Sequence, residues 1–133
     1  MSAAPATVLV VEDETALRQV LQRALTRQGY RVLAAGSAET AYELLRSERA
    51  DAVLLDVHLP VMSGLALYLA ILHRSPTLAG RIAIMTGDAE SDGVRTWLEL
   101  NPCTVLQKPF DLRAILDWVQ SVAAAPGERR ENG

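Results

Sequence analysis

A doubly wound α/β fold, one parallel sheet of five strands with helices on both faces, is what the sequence predicts. Two observations carry it. Five short apolar runs, mostly β-branched or leucine-rich, alternate with stretches whose apolar residues recur at helical spacing. Those runs are also apolar at nearly every position rather than at every second one, the pattern of strands covered on both faces. At 133 residues the chain has room for one such domain.

The strand runs fall at 7–11, 30–34, 52–55, 81–85 and 104–106. Between the first two, Leu17, Val20, Leu21, Ala24 and Leu25 form the apolar face of a first helix, which Gly29 ends. A second helix begins at Ser37 as N-cap and turns Ala38, Ala41, Tyr42 and Leu45 inward, leaving Arg46, Glu48 and Arg49 in solvent. A third follows Ser63 and Gly64. The fourth, over 90–100, carries only Val94, Trp97 and Leu98 as a weak stripe and is stopped by Asn101 and Pro102. The fifth starts from an Asp111 cap with Leu112, Ile115, Leu116, Val119 and Val122 toward the sheet, and is spent by about residue 124. The expected division is a flexible leader at 1–6, one domain at 7–124 and a flexible tail at 125–133, with no repeat and no further domain.

Composition narrows the function. Thirteen Lys and Arg against sixteen Asp and Glu leave a net charge of -3, the wrong sign for a phosphate backbone, so no direct nucleic-acid partner is expected. Cys103 is the only cysteine, which excludes an internal disulfide and is compatible with a reducing compartment. The opening MSAAPA lacks the apolar core of a secretory signal, and no apolar run approaches the ~18 residues of a membrane span. A soluble, cytoplasmic protein with no membrane insertion is expected.

In a doubly wound sheet, ligands bind beyond the carboxyl ends of the strands. Here the first strand ends in Glu12 and Asp13, the third in Asp56 and the fourth in Thr86, while Lys108 and Pro109 follow the fifth. If strands one and three are neighbours, three carboxylates converge. At ~4 Å and an effective dielectric of about 20, each like-charge pair costs about 4 kcal/mol, so a cation is required in the gap. Oxygen donors without a His or Cys pair favour a hard cation, and Mg²⁺ fits best. With Lys108 supplying one further positive charge, the site is neutral.

At these residues the sequence resembles the receiver domain of two-component response regulators. The resemblance rests on VVEDE at the first strand end, LLDVHLPVMSG around Asp56, MTGD with Thr86, and QKPF with Lys108 and Pro109, and it runs from about residue 7 to 124. It implies a flavodoxin-like sheet in the order 2-1-3-4-5 and a signalling phosphoacceptor rather than an enzyme. Asp56 would be the phosphoacceptor. Asp13 and Asp56 would bind Mg²⁺ directly with the backbone carbonyl of His58, and Glu12 would act largely through water. Thr86 and Lys108 would bind phosphoryl oxygens, and the bond before Pro109 would be cis. The implied partners are a histidine kinase or phosphotransfer protein and a downstream target protein, and a homodimer through the fourth and fifth helices is allowed. A stand-alone receiver and the receiver of a hybrid histidine kinase both fit.

Two positions depart from the pattern. Glu12 stands where Asp is usual, and Val105 stands three before Lys108, where an aromatic ring is usual, which weakens a switch by ring rotation. With no such ring, the response is expected to run from Thr86 through Gly87, whose backbone freedom would let the loop move, into the fourth helix. Two other functions use similar residues. A haloacid-dehalogenase-type aspartyl-phosphate phosphatase would need a second Asp two residues after Asp56, where His58 stands, and a non-phosphorylated pseudo-receiver adaptor would not need the acid set. His58 reads as a loop residue, His73 as a solvent residue at a helix end and Cys103 as a packed thiol. Trp97 and Trp118 read as core or as marks of a contact surface.

Overall fold

The computed structural model describes residues 5–59, 63–87 and 91–132, the last of these, from 124 on, as helix backbone. Five strands, β1 (Thr7–Val11), β2 (Arg31–Ala35), β3 (Ala52–Asp56), β4 (Ile82–Thr86) and β5 (Thr104–Gln107), alternate with five helices. The helices are α1 (Thr15–Arg27), α2 (Ala38–Ser47), α3 (Gly64–Arg74), α4 (Asp92–Leu100) and α5 (Leu112–Asn132), with a single 3-10 turn at Pro76–Leu78. All strands are parallel, in the order β2-β1-β3-β4-β5, the flavodoxin-like winding.

Alternation along each strand sorts the core into two layers. Val8, Val10, Ala52, Leu54, Ala83 and Met85 pack with Leu21 and Leu25 of α1 and Ile115 and Val119 of α5. The intervening Leu9, Val11, Val53, Leu55, Ile82 and Ile84 pack with residues of α2, α3 and α4. The three central strands β1, β3 and β4 are therefore buried throughout, and each fully buried Leu or Ile contributes roughly 1.5–3 kcal/mol. The edge strands β2 and β5 are only partly covered, because each lacks a neighbour on one side.

Helix ends follow local chemistry. The Ser37 and Ser63 hydroxyls accept from the backbone N–H groups of Thr40 and Ala66, and Asp111 Oδ1 accepts from Arg113 N–H. After α1, Gly29 at φ 97° donates to the Thr26 carbonyl and Tyr30 to the Leu25 carbonyl, a Schellman closure that needs the left-handed conformation.

Three residues expected inward are not. Val20 is 49% exposed, Tyr42 38% and Leu112 37%. α1 is anchored by Leu21 and Leu25, one turn apart, and Val20 sits about 100° round the helix from Leu21. Leu112 begins α5 at the sheet rim, and with Val20 it lines an open apolar groove beside Phe110. Tyr42 lies under the Arg74 guanidinium, 4.4 Å from its ring centre, which pins α2 to α3. α5 is helical through Asn132 instead of ending near 124; the Glu and Arg of this stretch are good helix formers, whereas Pro126 has no N–H to donate and Gly127 is a weak former, so the extension runs against local propensity at those two positions. The expected start of the fourth helix at Glu90, the Asp88 of the MTGD segment and most of the leader lie outside the described residues. Among the described residues, no helix is long and apolar enough to cross a membrane.

Candidate functional site

Parallel register assembles the rim. Val11 pairs with Leu55, so Glu12, the next residue after β1, lies beside Asp56, the last of β3. Asp56 in turn pairs with Met85, and the Lys108 N–H donates to the Thr86 carbonyl at 2.8 Å, which fastens the end of β5 to the end of β4. Residues from four strand ends thus meet at one place, and the Lys108–Pro109 bond is cis, as the resemblance implies.

The carboxylate oxygens of Glu12, Asp13 and Asp56 lie within 4.8 Å of one another. Glu12 is 1% and Asp56 3% exposed, whereas Asp13 faces solvent. Lys108 Nζ donates to Glu12 Oε1 at 2.9 Å and stands 3.5 Å from Asp56 Oδ1. Glu14 N–H donates to Glu12 Oε2 at 3.1 Å, and His58 N–H to Asp56 Oδ1 at 3.1 Å. Arg18 Nη1 donates to the Glu12 carbonyl at 2.8 Å. The donor set is all oxygen, and one member faces solvent, which suits a hard divalent cation that keeps several waters.

The charges in the site are unequal in footing. Burial pushes the Glu12 carboxyl above its ordinary value, and the Asp56 carboxylate adds to that push against the opposing hydrogen bonds from Lys108 and Glu14. Burial alone would lower the Lys108 ammonium, yet its hydrogen bond to Glu12 and the nearby Asp56 outweigh it and hold the ammonium above its ordinary value. An ion pair by itself would move its members in opposite directions. Both rise here because Glu12 is almost wholly buried beside a second acid, so Lys108 is the charge held firmly and Glu12 is the strained partner.

The sequence expectation placed Glu12, Asp13, Asp56, Thr86 and Lys108 at one rim, and the structure brings them there. Thr86 is fully buried and His58 exposed. Gly87 does not rest in the left-handed backbone, and a Cβ there would meet Lys108 Cβ at an ordinary 3.9 Å, so its resting conformation does not itself require glycine. Two contributors went unassigned in the sequence. A Cβ on Gly64 would stand 1.9 Å from the Asp56 backbone oxygen, so only glycine lets the start of α3 approach the end of β3, where Gly64 N–H donates to the Val57 carbonyl. Its local signs were its place at the start of a helix and at the end of the LLDVHLPVMSG motif, neither of which states that it lies against Asp56. Arg18 had none, since its reach to Glu12 is visible only in three dimensions.

A family model for the response regulator receiver domain matches residues 8–120, and the chain belongs to that family. It is a phosphoacceptor domain of two-component signalling rather than a classical enzyme. Sporulation initiation phosphotransferase F of Bacillus subtilis is 33% identical over 115 residues, which cover 85% of this chain and 90% of the relative. The DNA-binding transcriptional regulator NtrC of Proteus hauseri is 32% identical over 93% of this chain, but the chain spans only 26% of that relative's length. Among solved structures, chemotaxis protein CheY4 of Vibrio cholerae has a TM-score of 0.79 at 29% identity, over 90% of this chain and 99% of that one. The receiver domain of the Pseudomonas aeruginosa sensor histidine kinase PA1611, with a magnesium ion coordinated in its active-site cleft, has a TM-score of 0.79 at 25% identity, over 92% of this chain and 100% of that one.

Proposed function

We propose that Asp56 receives the phosphoryl group, from a phosphohistidine on a histidine kinase or phosphotransfer protein, with Mg²⁺ held by Glu12, Asp13, Asp56 and the His58 carbonyl. The observation that carries this reading is the convergence of three carboxylates within 4.8 Å, with a lysine ammonium 2.9 Å from one and 3.5 Å from another. Bound there, the cation would supply positive charge to phosphoryl oxygens. A carboxylate oxygen of Asp56 attacks phosphorus as the bond to the donor imidazole nitrogen breaks, and the electron pair returns to that nitrogen. Glu12 and His58 N–H hold Lys108 and Asp56 in place, which is the positioning such a transfer needs. Phosphorylation adds about one further negative charge to the site, and Lys108 and the Thr86 hydroxyl are the groups that answer it.

The kinase, the downstream target, a homodimer through α4 and α5, and a cytoplasmic location belong to the same proposal. So does the choice between a stand-alone receiver and one joined to a hybrid kinase. Incubation with acetyl phosphate and Mg²⁺ is expected to add one phosphoryl mass to the protein and none to Asp56→Asn. Equal labelling of that variant would remove Asp56 from the role. Turnover of simple phosphate esters would instead favour the phosphatase.

A further inference from the structure

Asp13 is the one acid of the site that faces solvent, and among the described residues its carboxylate accepts no hydrogen bond. The backbone therefore sets where its side chain starts, the Cα–Cβ direction from which the staggered rotamers reach the other two acids. The two peptide units flanking its Cα are both anchored. The unit before it presents the Glu12 carbonyl, which accepts from Arg18 Nη1 at 2.8 Å, and the unit after it presents Glu14 N–H, which donates to Glu12 Oε2 at 3.1 Å. One residue earlier, Glu12 N–H is tied to the Ala35 carbonyl at 3.0 Å. Two fixed peptide planes leave the Asp13 Cβ a single direction.

The Arg18 guanidinium is itself housed. A Cβ on Gly36 would lie 3.0 Å from Nη1 and 3.5 Å from Cζ, so the guanidinium lies over the first residue after β2 in space that a side chain would occupy. Gly36 has no left-handed backbone to account for glycine there, and room for Arg18 does account for it. We infer that Arg18 is a positioning residue for the cation site: through the Glu12 carbonyl it orients the peptide that aims Asp13 at Glu12 and Asp56. The inference rests on the reading of these acids as a Mg²⁺ site.

The sign of one measurement separates this role from its rivals. Arg18 is a cation near the site, so by charge alone its removal would tighten Mg²⁺ binding. A merely structural role would lower stability and leave affinity unchanged. Loss of a positioning partner weakens binding. The test is titration of the metal-free protein with MgCl₂, followed by amide chemical shifts, with no phosphoryl donor present. Arg18→Met keeps the length of the stem and removes the charge and donors, and is expected to raise the Mg²⁺ dissociation constant about tenfold, the lower end of the range for groups that orient metal ligands. Gly36→Ala leaves Arg18 in the chain but crowds its guanidinium, and is expected to weaken binding in the same direction by less. A folded Arg18→Met protein that binds Mg²⁺ as tightly as the parent, or more tightly, would overturn the inference. If Arg18→Met does not fold, Gly36→Ala decides, and an unchanged constant there overturns it. Absence of Mg²⁺ binding by the parent protein would overturn the reading of the acids and this inference with it, whereas unchanged variants overturn the inference alone.

Discussion

Gly64 is where a single atom separates a working rim from a blocked one. The nearest obstacle to a Cβ there is backbone, the Asp56 carbonyl at 1.9 Å, and no side-chain rotation relieves it. Forced overpacking costs about 1–3 kcal/mol and occasionally more, and Gly64→Ala is expected at or above the upper end because the end of β3 that carries Asp56 must shift. Urea denaturation measures the loss, and acetyl phosphate labelling is expected to slow along with it. A variant with parental stability would show that the start of α3 yields freely. The contrast with Gly87, whose virtual Cβ has ordinary room, shows that a glycine's neighbours rather than its presence decide its role.

Among the helices, α4 is the most lightly held. Val94 is its one buried residue, and Trp97 meets the Tyr68 ring edge-on, 5.1 Å between centres, while Val105 packs in the same layer. Few buried contacts make an element easy to displace. With valine at position 105, the pull of Thr86 is expected to reach α4 along the chain rather than through a rotating ring. On addition of beryllofluoride and Mg²⁺, remote amide shifts should concentrate in α4 and vanish in Thr86→Ala, and a full response in that variant would sink the route. The same junction also shields Cys103. Burial pushes its thiol up, and the hydrogen bond to Tyr68 offsets this only in part. A raised thiol favours the folded state while the thiol is neutral, so that contribution is whole below the unfolded value of about 8.5 and is lost as pH rises through the folded one. Because the thiolate is the nucleophile, iodoacetamide at pH 8 is expected to alkylate Cys103 at least about tenfold more slowly in the folded protein than in urea. Equal rates would mean that the thiol is open.

For the molecule as a whole, the acid rim trades stability for binding. Three carboxylates within 4.8 Å, with one lysine between them, leave uncompensated repulsion in the metal-free protein. A ligand that binds only the folded state adds about 2.7 kcal/mol at a hundred times its dissociation constant. Thermal melts are therefore expected to rise with MgCl₂ in the parent protein and hardly at all in Asp13→Asn. Without metal, that variant should melt at or above the parent temperature. If it unfolds while Mg²⁺ affinity persists, Asp13 supports the fold and the cation binds elsewhere.

The residues of the proposed site were legible in the sequence because they are local signals: an apolar run that stops at Glu12, another that stops at Asp56, and a lysine before proline after a third. Apolar runs and periodicity likewise exposed the five strands and four of the five α-helices, the third being marked by Ser63 and Gly64 alone, and the serine and aspartate side chains at 37, 63 and 111 cap through residues two or three positions away. The winding order came with the family resemblance rather than with periodicity, since a βα repeat does not state which strands are neighbours. Only the tertiary structure decided how far Val20, Tyr42 and Leu112 stand in solvent and how much of the edge strands β2 and β5 is left uncovered. It alone decided that Gly64 lies against Asp56 and that Arg18 spans from α1 to the Glu12 carbonyl over Gly36. Hydrophobic patterning specifies which side of an element faces inward, whereas these features depend on distances between elements, and such distances are set by the packing of the whole core.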